Sequence, residues 1–161
     1  MTDVSKLGMG AMLAMLSGNH DTAETFRAAK GKKITAAALV PWTSAYRSIC
    51  SYGEDDLKAL RLTFDDGSGI EFYDDAQSCC EYRYMHTDDD LSSLVGGILL
   101  AAEVRDGGTT RGDYGVETEC QFLVVETDKG SATVANYNSH NGYYGGFALR
   151  VRPVSSPSRS E

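Results

Sequence analysis

Leu60-Arg61-Leu62-Thr63-Phe64-Asp65-Asp66-Gly67-Ser68-Gly69-Ile70-Glu71-Phe72 is the stretch that decides the fold. Leu60, Leu62 and Phe64 alternate with Arg61 and Thr63, and Ile70 and Phe72 alternate around Glu71. A period of two places the apolar side chains on one face of an extended chain. Asp66-Gly67 between the two runs has the chemistry of a tight turn, so the stretch is a β-hairpin with one buried face.

The same signals recur on both sides. Ile34 to Val40 reads as a strand ended by Pro41, Ile98 to Val104 as another, and Thr118 to Glu126 as a third. Asp128-Lys129-Gly130 supplies a second turn, after which Ala132, Val134 and Tyr137 are expected to share one side. Phe147 to Arg152 alternates again and closes the sheet. Ile34 and Ile98, and Gly67 and Gly130, stand about 62 to 64 residues apart, which points to two related β units.

Helical signals are few. Asp21 followed by Glu24 has capping-box spacing, and the helix would run to Lys30 and stop at Gly31. Met9, Met12, Leu13 and Leu16 also have helical spacing and read as core or oligomer contacts. A short helix is expected from Asp90 to Val95, between a polar stretch at 74–90 and Gly96-Gly97. Arg105 to Gly115 lacks apolar anchors and reads as a loop. The expected fold is therefore α+β and mainly β: antiparallel sheets of about seven strands, an N-terminal helix and one short internal helix. Residues 1–31 form a helical segment, 32–152 a single β-rich domain, and 153–161 a Ser/Pro-rich disordered tail.

Composition limits function. At 161 residues and 42% hydrophobic, the chain can bury one real core. Its net charge of −8 argues against a dedicated DNA or RNA binder, which needs a basic face. No apolar run reaches membrane-spanning length, and no signal peptide is evident. Cys50, Cys79, Cys80 and Cys120 are too few and too irregular for a disulfide framework, so reduced thiols in a cytoplasmic protein are expected. Sheet edges in so strand-rich a chain need covering, and a homo-oligomer would cover them.

Two stretches carry chemistry beyond folding. His140-Asn141-Gly142-Tyr143-Tyr144-Gly145-Gly146-Phe147 combines an imidazole, a carboxamide, two phenols and three glycines. Gln77-Ser78-Cys79-Cys80-Glu81-Tyr82-Arg83-Tyr84-Met85-His86 adds two tyrosines, an arginine and adjacent thiols. Adjacent cysteines point to opposite sides of an extended chain, so zinc held by Cys79 or Cys80 with His86 and His140 is disfavoured. A Cys80/His nucleophile lacks an electropositive setting, and no phosphate-loop, dinucleotide or zinc-protease motif occurs. No cofactor and no catalytic residue is assigned. Binding suits the inventory better. Tyr82, Tyr84, Tyr143 and Tyr144 offer stacking faces, Arg83 and Arg105 offer forks for an anion, and His140 and Asn141 offer polar edges. A nucleotide-like small molecule, planar at one end and charged at the other, fits this set, at a site built from both loops.

These residues, with Thr87-Asp88-Asp89-Asp90-Leu91 and Gln121-Phe122-Leu123-Val124-Val125, resemble a family of small uncharacterised proteins encoded largely by bacteriophages. The resemblance covers about residues 31 to 152, and its specific elements are Cys79-Cys80-Glu81 and Asn141-Gly142-Tyr143-Tyr144-Gly145-Gly146. It implies a setting, the infected bacterial cytoplasm, and no catalytic residues. In that setting the expected function is non-enzymatic capture of a nucleotide-like host defence signal. The alternatives are an acidic inhibitor of a host defence protein (a DNA mimic or a blocker of its partner), a small Cys/His hydrolase, and a virion component.

Overall fold

The computed structural model describes residues 20–41, 58–74, 81–142, 147 and 149–154. In chain order these form helix α1 (His20–Ala29), β1 (Ile34–Pro41), β2 (Lys58–Phe64), β3 (Gly69–Asp74), β4 (Glu81–His86), a 3-10 turn (Leu91–Leu94), β5 (Leu99–Arg111), a second 3-10 turn (Asp113–Gly115), β6 (Glu117–Thr127), β7 (Gly130–His140) and β8 (Leu149–Val154). The strands make two four-stranded sheets, ordered β1-β2-β3-β8 and β4-β7-β6-β5. Every pairing is antiparallel.

The opening hairpin is β2–β3, with Leu62 opposite Ile70 and Leu60 opposite Phe72. Gly67 takes φ 87°, a left-handed backbone that glycine adopts without Cβ strain. The two-unit pattern is present in the topology. β1, β2 and β3 pair in succession, and the next strand, β4, joins the other sheet beside β7. β5, β6 and β7 likewise pair in succession, and β8 crosses back to lie beside β3. The two units meet at their starts, where Lys33 bridges Ile98 and Gly96 N–H donates to the Ile34 carbonyl at 2.8 Å.

One core fills the space between the sheets. The first sheet supplies Ile34, Leu60, Leu62, Phe64, Ile70, Phe72, Leu149 and Val151, and the second supplies Met85, Leu99, Ala102, Leu123, Val125, Ala132 and Val134. Leu94 plugs it from the 3-10 turn, and α1 adds Phe26, whose ring meets Phe72 edge-on at 6.3 Å. Each fully buried Leu or Phe stabilises by about 1.5–3 kcal/mol. Gly31, at φ 93°, ends the helix as expected.

Several expectations need correction. The described residues form eight strands, in line with the expected antiparallel sheets of about seven. The strand that the sequence reading lacks is β4, Glu81–His86, where only a polar stretch is apparent. Its apolar and polar residues alternate weakly, since both of its faces carry polar or aromatic side chains. Arg105 to Arg111 continues β5; it has no apolar anchors because its side chains are exposed along a sheet edge. The short internal helix is a single 3-10 turn, capped by the Asp90 carboxylate, which accepts from Ser92 N–H at 3.0 Å. Asp21 stands inside the first turn of α1. The last strand begins at Leu149 and includes Pro153 and Val154. Tyr137 faces away from Ala132 and Val134, as its odd offset from them demands. The segment at Met9 to Leu16, residues 155–161, and Cys50, Cys79 and Cys80 lie outside the described residues.

Candidate functional site

Strand parity divides the expected site between two faces of one sheet. In β4, Arg83 and Met85 point into the molecule, while Tyr82, Tyr84 and His86 point outward. β7 lies directly alongside, pairing Arg83 with Asn138, Tyr84 with Tyr137 and Met85 with Asn136.

The inward side is a buried polar layer. Arg83 Nη1 donates to both oxygens of Asp74, at 2.8 and 2.9 Å, and both residues are buried. Asn136 Nδ2 donates to Asp74 Oδ2 at 3.0 Å. A carboxylate can only accept, so this bond fixes the orientation of the Asn136 amide and leaves Oδ1 as an acceptor. Oδ1 of Asn136 and Oε1 of Gln121, its neighbour across the strand pair, are buried without a hydrogen-bond partner. His140, also buried, accepts the Gly142 N–H at Nδ1 (3.0 Å) and faces Glu119 Oε1 with Nε2 at 3.2 Å. An accepting Nδ1 carries no proton, so the ring is the neutral Nε2–H tautomer and Nε2 is the donor to Glu119. Both ring nitrogens are therefore engaged within the chain.

The layer lies where the chain changes sheets. Asp74 ends β3 opposite Leu149, and Glu81 begins β4 opposite His140. The flanks of both unusual stretches thus converge on one end of the fold, joined across the sheets by Asp74, Arg83 and Asn136. Tyr143 and Tyr144 lie outside the described residues, and Asn141 is exposed just after β7.

The outward side is aromatic. Tyr82 and Tyr84 stand two residues apart with ring centroids 4.9 Å apart and planes at 31°. Tyr84 stacks on Tyr137 of the next strand, again at 4.9 Å, with planes at 22°. All three rings are half-buried, so their assembly leaves aromatic surface facing water. Cys120 continues the row on β6, and Ala135 and Phe122 form the next row. Partial burial, then Cys120, Tyr84 and Asp88, push the Tyr137 phenol above its ordinary value. Burial, with Asp106, pushes the Cys120 thiol up, so it is not an activated nucleophile.

Arg105 shares this outward face, opposite Phe122. Its Nε donates to Glu103 Oε2 at 2.7 Å, and that bond with the glutamate's charge raises the guanidinium further above its ordinary value. Neither arginine expected to grip an anion therefore stands uncommitted: Arg83 holds Asp74 and Arg105 holds Glu103. His86 is exposed, with Nε2 2.9 Å from Asp88 Oδ1. It pairs opposite Ala135 at the far end of β4 from His140 and points to the other face, so the two histidines cannot share a metal. Among the described residues, no group of three or more His, Cys, Asp or Glu side chains could hold a metal ion, and no helix is long and apolar enough to cross a membrane.

Tyr137, Asp74, Asn136, Gln121 and Glu119 are not among the site residues expected from the sequence. A signal for part of the set was present: Asn136, Asn138 and His140 occupy the inward parity of a strand whose earlier inward residues are Ala132 and Val134. Polar residues at core positions mark a site or a structural network.

Fold and site together define a two-sheet antiparallel β protein with a buried polar layer behind a tyrosine-faced sheet. Residues 27–149 match the family described as a domain of unknown function (DUF7448), and the chain belongs to that family. No curated protein and no solved structure matches it.

Proposed function

We propose that this is a non-enzymatic binding protein that takes the planar part of a nucleotide-like small molecule on the outward tyrosine stack. The stack of Tyr82, Tyr84 and Tyr137 carries this reading. Three half-exposed rings, tilted by 31° and 22° and spaced at 4.9 Å, form a platform on which a fourth planar ring can continue the pile. Base–aromatic stacking contributes about 1–3 kcal/mol per base. Sequestration of a host defence signal in a phage-infected bacterium is the biological role we attach to it. The phage resemblance supports the setting, and the satisfied His140 and unactivated Cys120 argue for capture over turnover.

The test is calorimetry of the full chain against nucleosides, cyclic oligonucleotides, ADP-ribose derivatives and infected-cell extracts. Binding that weakens at least tenfold in Tyr84→Ala and Tyr137→Ala supports the reading. Absence of binding across the panel sinks it. The same face favours one second reading, an inhibitor that docks a host protein. Phe122, Val124 and Ala101 extend the half-buried apolar surface beyond the rings. A host partner whose capture survives both alanine substitutions would favour that alternative.

A further inference from the structure

The outward face of the second sheet does not end at the tyrosines. One row beyond Tyr137 and Cys120 come Ala135, Phe122 and Arg105, and one row further come Thr133, Val124 and Glu103. Here the surface sinks into a hollow of ≈ 180 Å³ lined by Glu103, Arg105, Val124, Glu126, Ser131 and Thr133. Two residues of strand rise about 6.6 Å, so the hollow begins roughly 7–13 Å along the face from the tyrosine row. A ring seated on the stack could carry its substituent toward the hollow.

The chemistry of the hollow is specific. Glu103 and Glu126 present carboxylates, which accept hydrogen bonds, and the hydroxyls of Ser131 and Thr133 can donate or accept. The lone cation, Arg105, is bound through Nε to Glu103 at 2.7 Å. One guanidinium against two carboxylates leaves one net negative charge among the lining residues. A phosphate placed here meets like charge, whereas sugar hydroxyls or an amine meet acceptors.

Resting on the stacking function above, we propose that the hollow receives the hydroxyl-bearing sugar or an amine of the ligand and rejects phosphate, so that the recognised unit is a nucleoside. The base continues the pile beyond Tyr137, the ring on the strand nearer the hollow, and the sugar hydroxyls donate to Glu103 and Glu126. This reverses the charge preference expected from Arg83 and Arg105 in the sequence.

The test is calorimetry of the full chain with adenosine and guanosine, their 5′-monophosphates and 5′-diphosphates, and 5′-amino-5′-deoxyadenosine. The expected order is the amino-nucleoside, then the nucleosides, then the monophosphates, then the diphosphates, with about tenfold lost at the first phosphate. Glu126→Gln and Glu103→Gln, both at the surface hollow, should each narrow the gap between nucleoside and monophosphate. Monophosphates that bind as tightly as nucleosides, or a gap unchanged in both variants, overturn the proposal. If such binding still depends on Tyr84, the stacking function survives while this inference fails. If no compound in the series binds, this inference falls, and the stacking function is then decided by the cyclic oligonucleotides, ADP-ribose derivatives and extracts of the wider panel.

Discussion

Arg83, the third residue of β4, holds both carboxylate oxygens of Asp74, the last residue of β3, and the two strands belong to different sheets. The pair is a buried clamp between the units at the end where the chain crosses over. Removing one partner strands an uncompensated charge. Arg83→Ala and Asp74→Ala are each expected to cost roughly 3–5 kcal/mol in urea unfolding. The double variant Asp74→Leu/Arg83→Met should recover most of that loss, because no buried charge is left alone. Equal losses in single and double variants would show that the clamp acts through packing alone.

Tyr137 sits between Tyr84 and Cys120 with its phenol held above the ordinary value of about 10. A group whose folded pKa is raised contributes stability that is complete below its unfolded pKa and is lost as pH rises through the folded one. Absorbance titration of the phenolate should therefore show one late-ionising tyrosine that disappears in Tyr137→Phe. The variant should also lose less stability than wild type above about pH 10. A titration curve unchanged by the substitution would contradict this placement.

The hairpin at Leu60–Phe72, the turn at Asp128–Gly130 and the doubling of the β unit were legible because each rests on local alternation and turn chemistry. β4 was not. Its residues Glu81-Tyr82-Arg83-Tyr84-Met85-His86 bury Arg83 against Asp74, a partner nine residues away in the other sheet, and local pattern cannot announce that compensation. The candidate site was legible in composition and not in geometry. Tyr82 and Tyr84 do share one face, with their rings against each other, but neighbouring Arg83 belongs to the opposite face. The third ring, Tyr137, is visible only once β4 is known to pair with β7.

Asp90 caps the 3-10 turn that carries Leu94 into the core, accepting from the Ser92 backbone N–H and hydroxyl. The Ser92 hydroxyl first, then its backbone N–H, lower the carboxyl's pKa below its ordinary value. A depressed folded pKa gives stability that is present above the unfolded value and is lost as pH falls through the folded one. The difference in stability between wild type and Asp90→Ala should therefore be constant from neutral pH down to about pH 5 and shrink at lower pH. A pH-independent difference in chemical denaturation would assign the effect to the loop backbone instead.

Asn136 offers a sharper test of the buried layer, because its two amide atoms have opposite fates. Nδ2 donates to Asp74 at 3.0 Å, while Oδ1 is buried without a partner. Asn136→Asp keeps the shape and removes the donor, setting a second carboxylate beside Asp74, which already pairs with Arg83. Like charges this close cannot both ionise freely, so one carboxyl of the pair must keep its proton in the folded state at a raised pKa. That group binds its proton more tightly folded than unfolded, so the stability deficit relative to wild type is small at low pH and grows as pH rises through the folded value. Asn136→Leu, which introduces no charge, should show a deficit of about 1–3 kcal/mol with no such pH dependence, since it deprives Asp74 of a donor while deleting an unsatisfied oxygen. Parallel pH profiles for the two variants would mean that position 136 does not share the Asp74 site in solution.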